Sequence, residues 1–433
     1  MIDSRGMSGF SGHPRGLYVL FGTELWERYG FYSMMAILTL YMDEHLRFSQ
    51  QLSGQVYGGY IGAVYFTPLL GGFLADRVLG YNRSVVIGAV LMGVGYVALA
   101  SGTLPLFFTG LGLVALGSGF LKPNISTIVG NLYRDKPQLR DSAFNLFYMG
   151  INTGAFLAPI GVAWLRARYG WHVAIASSAV GMLLALVTFL GFNRHISAAG
   201  QRVQDSVNPE ADPPADEARR RTVALLVIFA IAVIFWIAFY QNGFTLTFWA
   251  RDYTDRVVLG REISPETFQS VNPLGIILFS PLLVLAWGWL RDRGREPSTP
   301  GKILIGILLT SASFAVMVGA ATAAGAAGRV SPMWLVSSYA FIALGEICLS
   351  PMGLSLVSKV APPSRRGLLM GGWFVATSLG GYFSGSLGTR WGTIPHAQFF
   401  LFVTLMTVGA ALVLLLVLRF LRPVFARALA EHR

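Results

Sequence analysis

Residues 117–123 read Gly117-Ser-Gly-Phe-Leu-Lys122-Pro123, and residues 345–351 read Gly345-Glu346-Ile-Cys-Leu-Ser350-Pro351. Both stretches lie inside long apolar runs, with glycine and proline in the same register and one charge apiece. A second echo accompanies the first: Asp76-Arg77 closes an earlier apolar run, and Asp292-Arg293 closes its counterpart in the second half. Two matches at corresponding places predict two halves repeated in the same orientation, the alternative being chance register of the glycines and prolines common in membrane helices.

Working outward, apolar stretches long enough to cross a hydrocarbon core fall at 16–42, 51–75, 84–101, 104–133, 142–165 and 171–192. They resume at 222–249, 266–290, 302–326, 332–358, 366–389 and 397–420. A span takes roughly 20 mostly apolar residues, so 433 residues hold about twelve spans and leave no room for a large soluble catalytic domain. The composition agrees, with 54% hydrophobic and 12% charged residues, against roughly 25% charged in a soluble domain. The expected organisation is a tail at 1–15, a six-helix bundle at 16–192, a polar linker at 193–221, a second bundle at 222–421 and a tail at 422–433. The linker carries Asp205, Pro209, Glu210, Asp212, Pro213, Pro214, Asp216 and Glu217 before Arg219-Arg220-Arg221. No removable signal peptide is read in the polar start.

The net charge of +12 would suggest nucleic acid in a soluble protein, but here the positions decide. Of 33 lysines and arginines, 23 fall on the side of the N-terminus, eight on the other, and two within spans. Basic loops stay in the cytoplasm, so both termini and the linker are expected there, in a multi-pass protein of the cell membrane that binds no nucleic acid. The fold class is therefore an all-α integral membrane protein of two six-helix bundles, which resembles the plan of the major facilitator superfamily. The single cysteine, Cys348, permits no internal disulfide and no cysteine metal cluster.

Five ionisable side chains remain inside spans: Glu24, Glu27, Arg28, Lys122 and Glu346. Each costs at least about 2.5 kcal/mol on a lipid-facing helix, so each should face protein or water. At about 100° per residue, Glu24, Glu27, Arg28 and Phe31 share one face of the first helix, with Tyr32 at its margin. A static buried ion pair is the alternative, although such pairs seldom improve on apolar replacements. Three acids against two bases leave one carboxylate without a permanent cation, and such a group can exchange a proton near neutral pH.

Glu24-Leu-Trp-Glu27-Arg28-Tyr29-Gly-Phe31-Tyr32 resembles the E-x-x-E-R-F-x-Y-Y motif of the proton-dependent oligopeptide transporter family. Gly71-Gly-Phe-Leu-Ala-Asp76-Arg77-Val-Leu-Gly80 is similar to that family's loop after the second helix, and Phe147-Tyr148-Met-Gly-Ile-Asn152-Thr-Gly154 matches its F-Y-x-x-I-N-x-G signature. Lys122, Asn272-Pro273, Glu346 before Ser350-Pro351, and Trp373 complete a resemblance running from the first helix to the eleventh.

The resemblance implies import of di- and tripeptides by a proton gradient, through alternating access. It implies that Arg28 and Lys122 take the peptide carboxylate and Glu346 the amine, and that peptide held between the halves draws them together. Glu24 and Glu27 become the proton-handling carboxylates, with Glu27 trading a proton against Arg28 and Lys122. Tyr32, Tyr65, Asn152, Asn272 and Trp373 become pocket positions, where aromatics and asparagines suit many side chains on one common backbone. For Trp373 simple helix packing is the equal alternative. Asp76 and Arg77 are expected to act as a latch at the cytoplasmic rim. Pro123, Pro273 and Pro351 are expected to kink their helices. No cofactor and no metal are called for, and the working form is taken as the monomer in the bilayer.

The chain departs from the family pattern where a second arginine is usual, at Met35, and where a glutamate usually precedes glutamine, at Tyr240-Gln241. Phe31 stands for a tyrosine, and the linker is too short for an extra helix pair. A transporter of a small anion or drug-like solute stays open, since a basic pole suffices for an anion. An enzyme or receptor is remote: no H-E-x-x-H, nucleophile elbow or histidine cluster is present.

Overall fold

The computed structural model describes residues 12–201, 212–325 and 328–430. Asp205, Pro209 and Glu210 of the linker, most of the N-terminal tail, and His432 lie outside the described residues. The helices are α1 (Arg15–Leu40), α2 (Gln50–Leu74), α3 (Tyr81–Ala100), α4 (Leu104–Asn131), α5 (Arg140–Tyr169) and α6 (Trp171–Gly191). There follow α7 (Ala215–Phe239), a short α8 (Thr245–Asp252), α9 (Val271–Asp292), α10 (Thr299–Ala324), α11 (Pro332–Val360), α12 (Arg366–Gly388) and α13 (His396–Ala430). The one sheet among the described residues is a hairpin of β1 (Val257–Val258) and β2 (Arg261–Glu262).

Helix boundaries follow local chemistry. Ser298 and Ser331 accept backbone N–H bonds from Gly301 and Met333 at the starts of α10 and α11, each ahead of a proline in the first turn, where proline costs no helical bond. Gly170, at φ 82°, breaks α5 from α6. Three boundaries differ from expectation, and one is the end of α13, which runs on to Ala430 through most of the expected tail at 422–433. The helix of α7 starts at Ala215, so the arginine run is helical, and Arg221 is buried with its Nε 3.1 Å from Glu217. Pro273 is the third residue of α9, after the 3₁₀ segment Pro265–Ser270, so it opens a helix instead of kinking one. Pro123 and Pro351 do lie inside α4 and α11.

Ten helical stretches among the described residues are long and apolar enough to cross a membrane. The two long helices that fall short are α1 and α12. Mid-helix charges lower the apolarity of α1, and glycines that of α12. Both are 23 residues or longer, enough for the roughly 30 Å of a hydrocarbon core at 1.5 Å per residue. The protein is a multi-pass membrane protein.

The chain forms two compact units, Met1–Met35 with Thr67–Gln204, and Ala36–Phe66 with Asp205–Arg433. In the first, α3 packs chiefly on α4 and α6, and against α4 the buried Met92 lies at Gly117, Val114 at Gly95 and Leu121 at Gly88. In the second, α10 packs on α11 and α13, and α7 on α12. The end of α1 and most of α2 join this second unit. Thr39 donates to the Gly243 carbonyl (2.7 Å), Tyr57 to that of Tyr240 (3.1 Å), and Ser378 to that of Gly62 (2.7 Å). Arg251 reaches Asp43 (2.6 Å), Glu44 (3.3 Å) and Asp252 (2.7 Å). In the turn after α9, Glu296 meets Arg291 (2.7 Å) and Lys302 (2.6 Å). The Arg291 hydrogen bond first, then that of Lys302, holds its carboxyl down at about 2.

Candidate functional site

Within the first unit, a spacing of three and four residues places Glu24, Glu27 and Arg28 on one stripe of α1, and all three are buried. Arg28 Nε lies 2.9 Å from Glu24 Oε1, and the guanidinium also pairs with Glu27. Lys122, from the middle of α4, interacts electrostatically with all three. Its Nζ stands 4.2 Å from the centroid of the Phe31 ring, and Arg28 Cζ lies 5.5 Å from the same centroid. Phe31 is buried, and Tyr32 meets it edge-on at 5.4 Å. Inside a membrane such charges need mutual compensation, and this cluster provides it with two acids and two bases.

The signature Phe147-Tyr148-Met-Gly-Ile-Asn152-Thr-Gly154 lies on α5, and its glycine has a steric role. A Cβ on Gly154 would overlap the Leu25 carbonyl oxygen and come within 3.0 Å of Arg28 Cβ. The missing side chain lets α5 press against α1 where the charged stripe begins. Asn152 is buried and donates to the Tyr148 carbonyl at 2.9 Å, one turn back.

Within the second unit, Glu346 of α11 accepts a hydrogen bond from Asn272 of α9 at 3.3 Å. Trp373 of α12 is 2% exposed, meets Phe229 edge-on at 6.0 Å and fills the space that Gly353 leaves empty. Those contacts give it a packing role between α12, α7 and α11. Tyr65 leans on Tyr240 at 5.7 Å between centroids, and Trp236 stacks on Tyr240. The neighbouring Gln241 donates to Ser384 O and Oγ, both at 2.9 Å, while its side-chain Oε1 accepts from Thr245 at 3.0 Å. Met35 is buried without a charge to satisfy. The departures noted in the sequence are thus filled by apolar and hydrogen-bonded packing.

Asp76 and Arg77 occupy the π-helical turn Ala75–Leu79 and are exposed. Arg77 lies 4.5 Å from the Phe73 ring, and Asp76 has no ion pair among the described residues. Phe31 stands on the charged stripe of α1 as helical spacing predicts, but spacing assigns it no contact. Its signal was its position one turn beyond Glu27-Arg28, but the partner comes from α4.

The family model described as PTR2, POT family, matches residues 82–212 and 207–397. The peptide transporter YePEPT of Yersinia enterocolitica is 36% identical over 88% of this chain and 88% of its own length. The dipeptide and tripeptide permease A of Proteus mirabilis is 31% identical over 87% of this chain and 86% of the permease. A crystal structure of a mutant of peptide transporter POT in complex with alafosfalin matches with a TM-score of 0.87 at 33% identity, over 97% of this chain and 96% of that one.

Proposed function

The chain belongs to the POT family, and from that premise we propose that it is a proton-coupled symporter importing di- and tripeptides across the cytoplasmic membrane by alternating access. Both termini are cytoplasmic in this reading, which rests on the asymmetry of basic residues between loops. The observation that carries it is a pair of poles of opposite sign, buried Arg28 with half-buried Lys122, and half-buried Glu346 with buried Asn272.

A zwitterionic peptide needs a cation for its carboxylate and an anion for its amine, and charge-assisted bonds are the strong ones. Arg28 and Lys122 bind the carboxylate, and Glu346 binds the amine. While Glu27 is ionised it holds Arg28. When Glu27 takes a proton from outside, that pairing ends and the two cations turn to the peptide. Glu24 keeps Arg28 oriented throughout. Tyr32, Tyr65, Asn152 and Asn272 contact the peptide backbone and side chains, with Trp373 behind them. Asp76 and Arg77 form the cytoplasmic latch, and the working unit is the monomer.

The test is competition against labelled dialanine uptake in reconstituted vesicles. Unlabelled di- and tripeptides compete, while free amino acids, nitrate and amphipathic drugs do not. Competition by nitrate or drugs with none by peptides would replace this reading with that of an anion or drug transporter.

A further inference from the structure

Lys122 feels the charge of Arg28, which repels it, and of Glu27 and Glu24, which attract it, while its Nζ stands over the Phe31 ring, 4.2 Å from the centroid. Carboxylate and ring act differently on a cation. A carboxylate neutralises it and leaves little attraction for an incoming anion. An aromatic face attracts it through the ring quadrupole and leaves its charge intact. The same ring also lies 5.5 Å from Arg28 Cζ, so one rigid group is within cation–π range of both members of the basic pole. The ring is itself fixed, being 3% exposed and braced by the edge of Tyr32.

We infer that Phe31 is a positioning residue for substrate, holding Lys122 and Arg28 charged and correctly spaced for the peptide carboxylate once Glu27 is protonated. The inference rests on the peptide-symport reading and adds a residue to it. When the carboxylate lets go, the ring supplies a charge-free resting place for Lys122. The cation then neither swings to Glu24 nor needs water to stabilise it. The contact uses the ring face and needs no hydroxyl, so phenylalanine serves at this position.

The experiment measures dialanine KM and maximal uptake rate in vesicles under an inward proton gradient. Phe31→Leu raises KM about tenfold or more, the scale of a partly desolvated cation–π contact, with the maximal rate nearly kept. Phe31→Tyr and Phe31→Trp, which keep the ring, stay within about threefold of the parent. Fluorinated phenylalanines at position 31 preserve shape while draining the ring face of negative potential, so KM climbs stepwise with each added fluorine. A packing role alone gives no such gradation. Wild-type uptake with a KM flat across the fluorinated series overturns the role of the ring. Wild-type vesicles that take up no dialanine overturn the symport reading, and the positioning role with it.

Discussion

Asn272 donates its side-chain amide to Glu346 Oε2 over 3.3 Å, tying the first turn of α9 to the middle of α11. A carboxylate has room for about four such bonds, so this one orients Glu346 and leaves capacity for a ligand ammonium. Hydrogen bonds to charged groups contribute roughly 1.5–3 kcal/mol, which sets the scale of the effect. Glu346→Gln should raise the KM for dialanine by about 10- to 100-fold, and Asn272→Ala by about fivefold. N-acetyl-dialanine, which lacks the ammonium, should compete equally against parent and Glu346→Gln. If Glu346→Gln leaves dialanine KM unchanged, the amine is bound elsewhere.

Gly154 owes its place to the close approach of α5 and α1. A methyl group there overlaps the Leu25 carbonyl oxygen, a backbone atom that cannot swing away. Overpacking of this kind costs about 1–3 kcal/mol. Gly154→Ala should lower the detergent-solubilised melting temperature by several degrees and reduce uptake, because Arg28 shares the contact. Gly72→Ala is the control, since nothing lies within 4 Å of its added Cβ. It should melt at or slightly above the parent temperature, as alanine favours helix over glycine by about 0.5–1 kcal/mol. Equal melting of the two variants would sink this account of the motif.

The turn after α9 makes a pH prediction with a definite sign. Glu296 is held at about 2 instead of 4.5 by Arg291 and Lys302. Its folded-state value is depressed, so the stabilisation is present above about pH 4.5 and fades as pH falls toward about 2. Arg291 is exposed and Glu296 and Lys302 are half-buried at the surface, so the pairs contribute about 1 kcal/mol. The melting temperature of Glu296→Gln should therefore lie below that of the parent at pH 7 and converge with it in acid. A gap that widens toward acid would contradict the assignment.

The apolar runs make the long helices legible in the sequence. The glycine–proline echo of residues 117–123 and 345–351, and the two Asp-Arg turns, predict two halves, whereas the compact units put the end of α1 and most of α2 with the second half. The charged stripe of α1 was equally legible, since helical periodicity alone puts Glu24, Glu27, Arg28 and Phe31 on one face. Periodicity does not say which neighbour covers that face. The contact of Phe31 with Lys122, the wedge of Trp373 against Gly353, and the packing of Thr39 and Tyr57 on the second unit all depend on partners remote in sequence. Composition misled at Arg219–Arg221, which reads as linker but is helix, because a long arginine stem packs well beside its own Glu217. At Pro273 the residue type suggested a kink, while its place in the first turn removes the reason for one.

The central claim is that a proton gradient drives peptide uphill through the exchange of Glu27 between a proton and the basic pole. It is tested most directly by radiolabelled dialanine in proteoliposomes with an acid exterior, comparing the parent with Glu27→Gln for both net accumulation and gradient-free counterflow. The account predicts that the parent concentrates dialanine above the outside level and that a protonophore abolishes this. Glu27→Gln should exchange dialanine by counterflow at a comparable rate and never concentrate it. Uphill accumulation by Glu27→Gln, or parent accumulation indifferent to the protonophore, would contradict it.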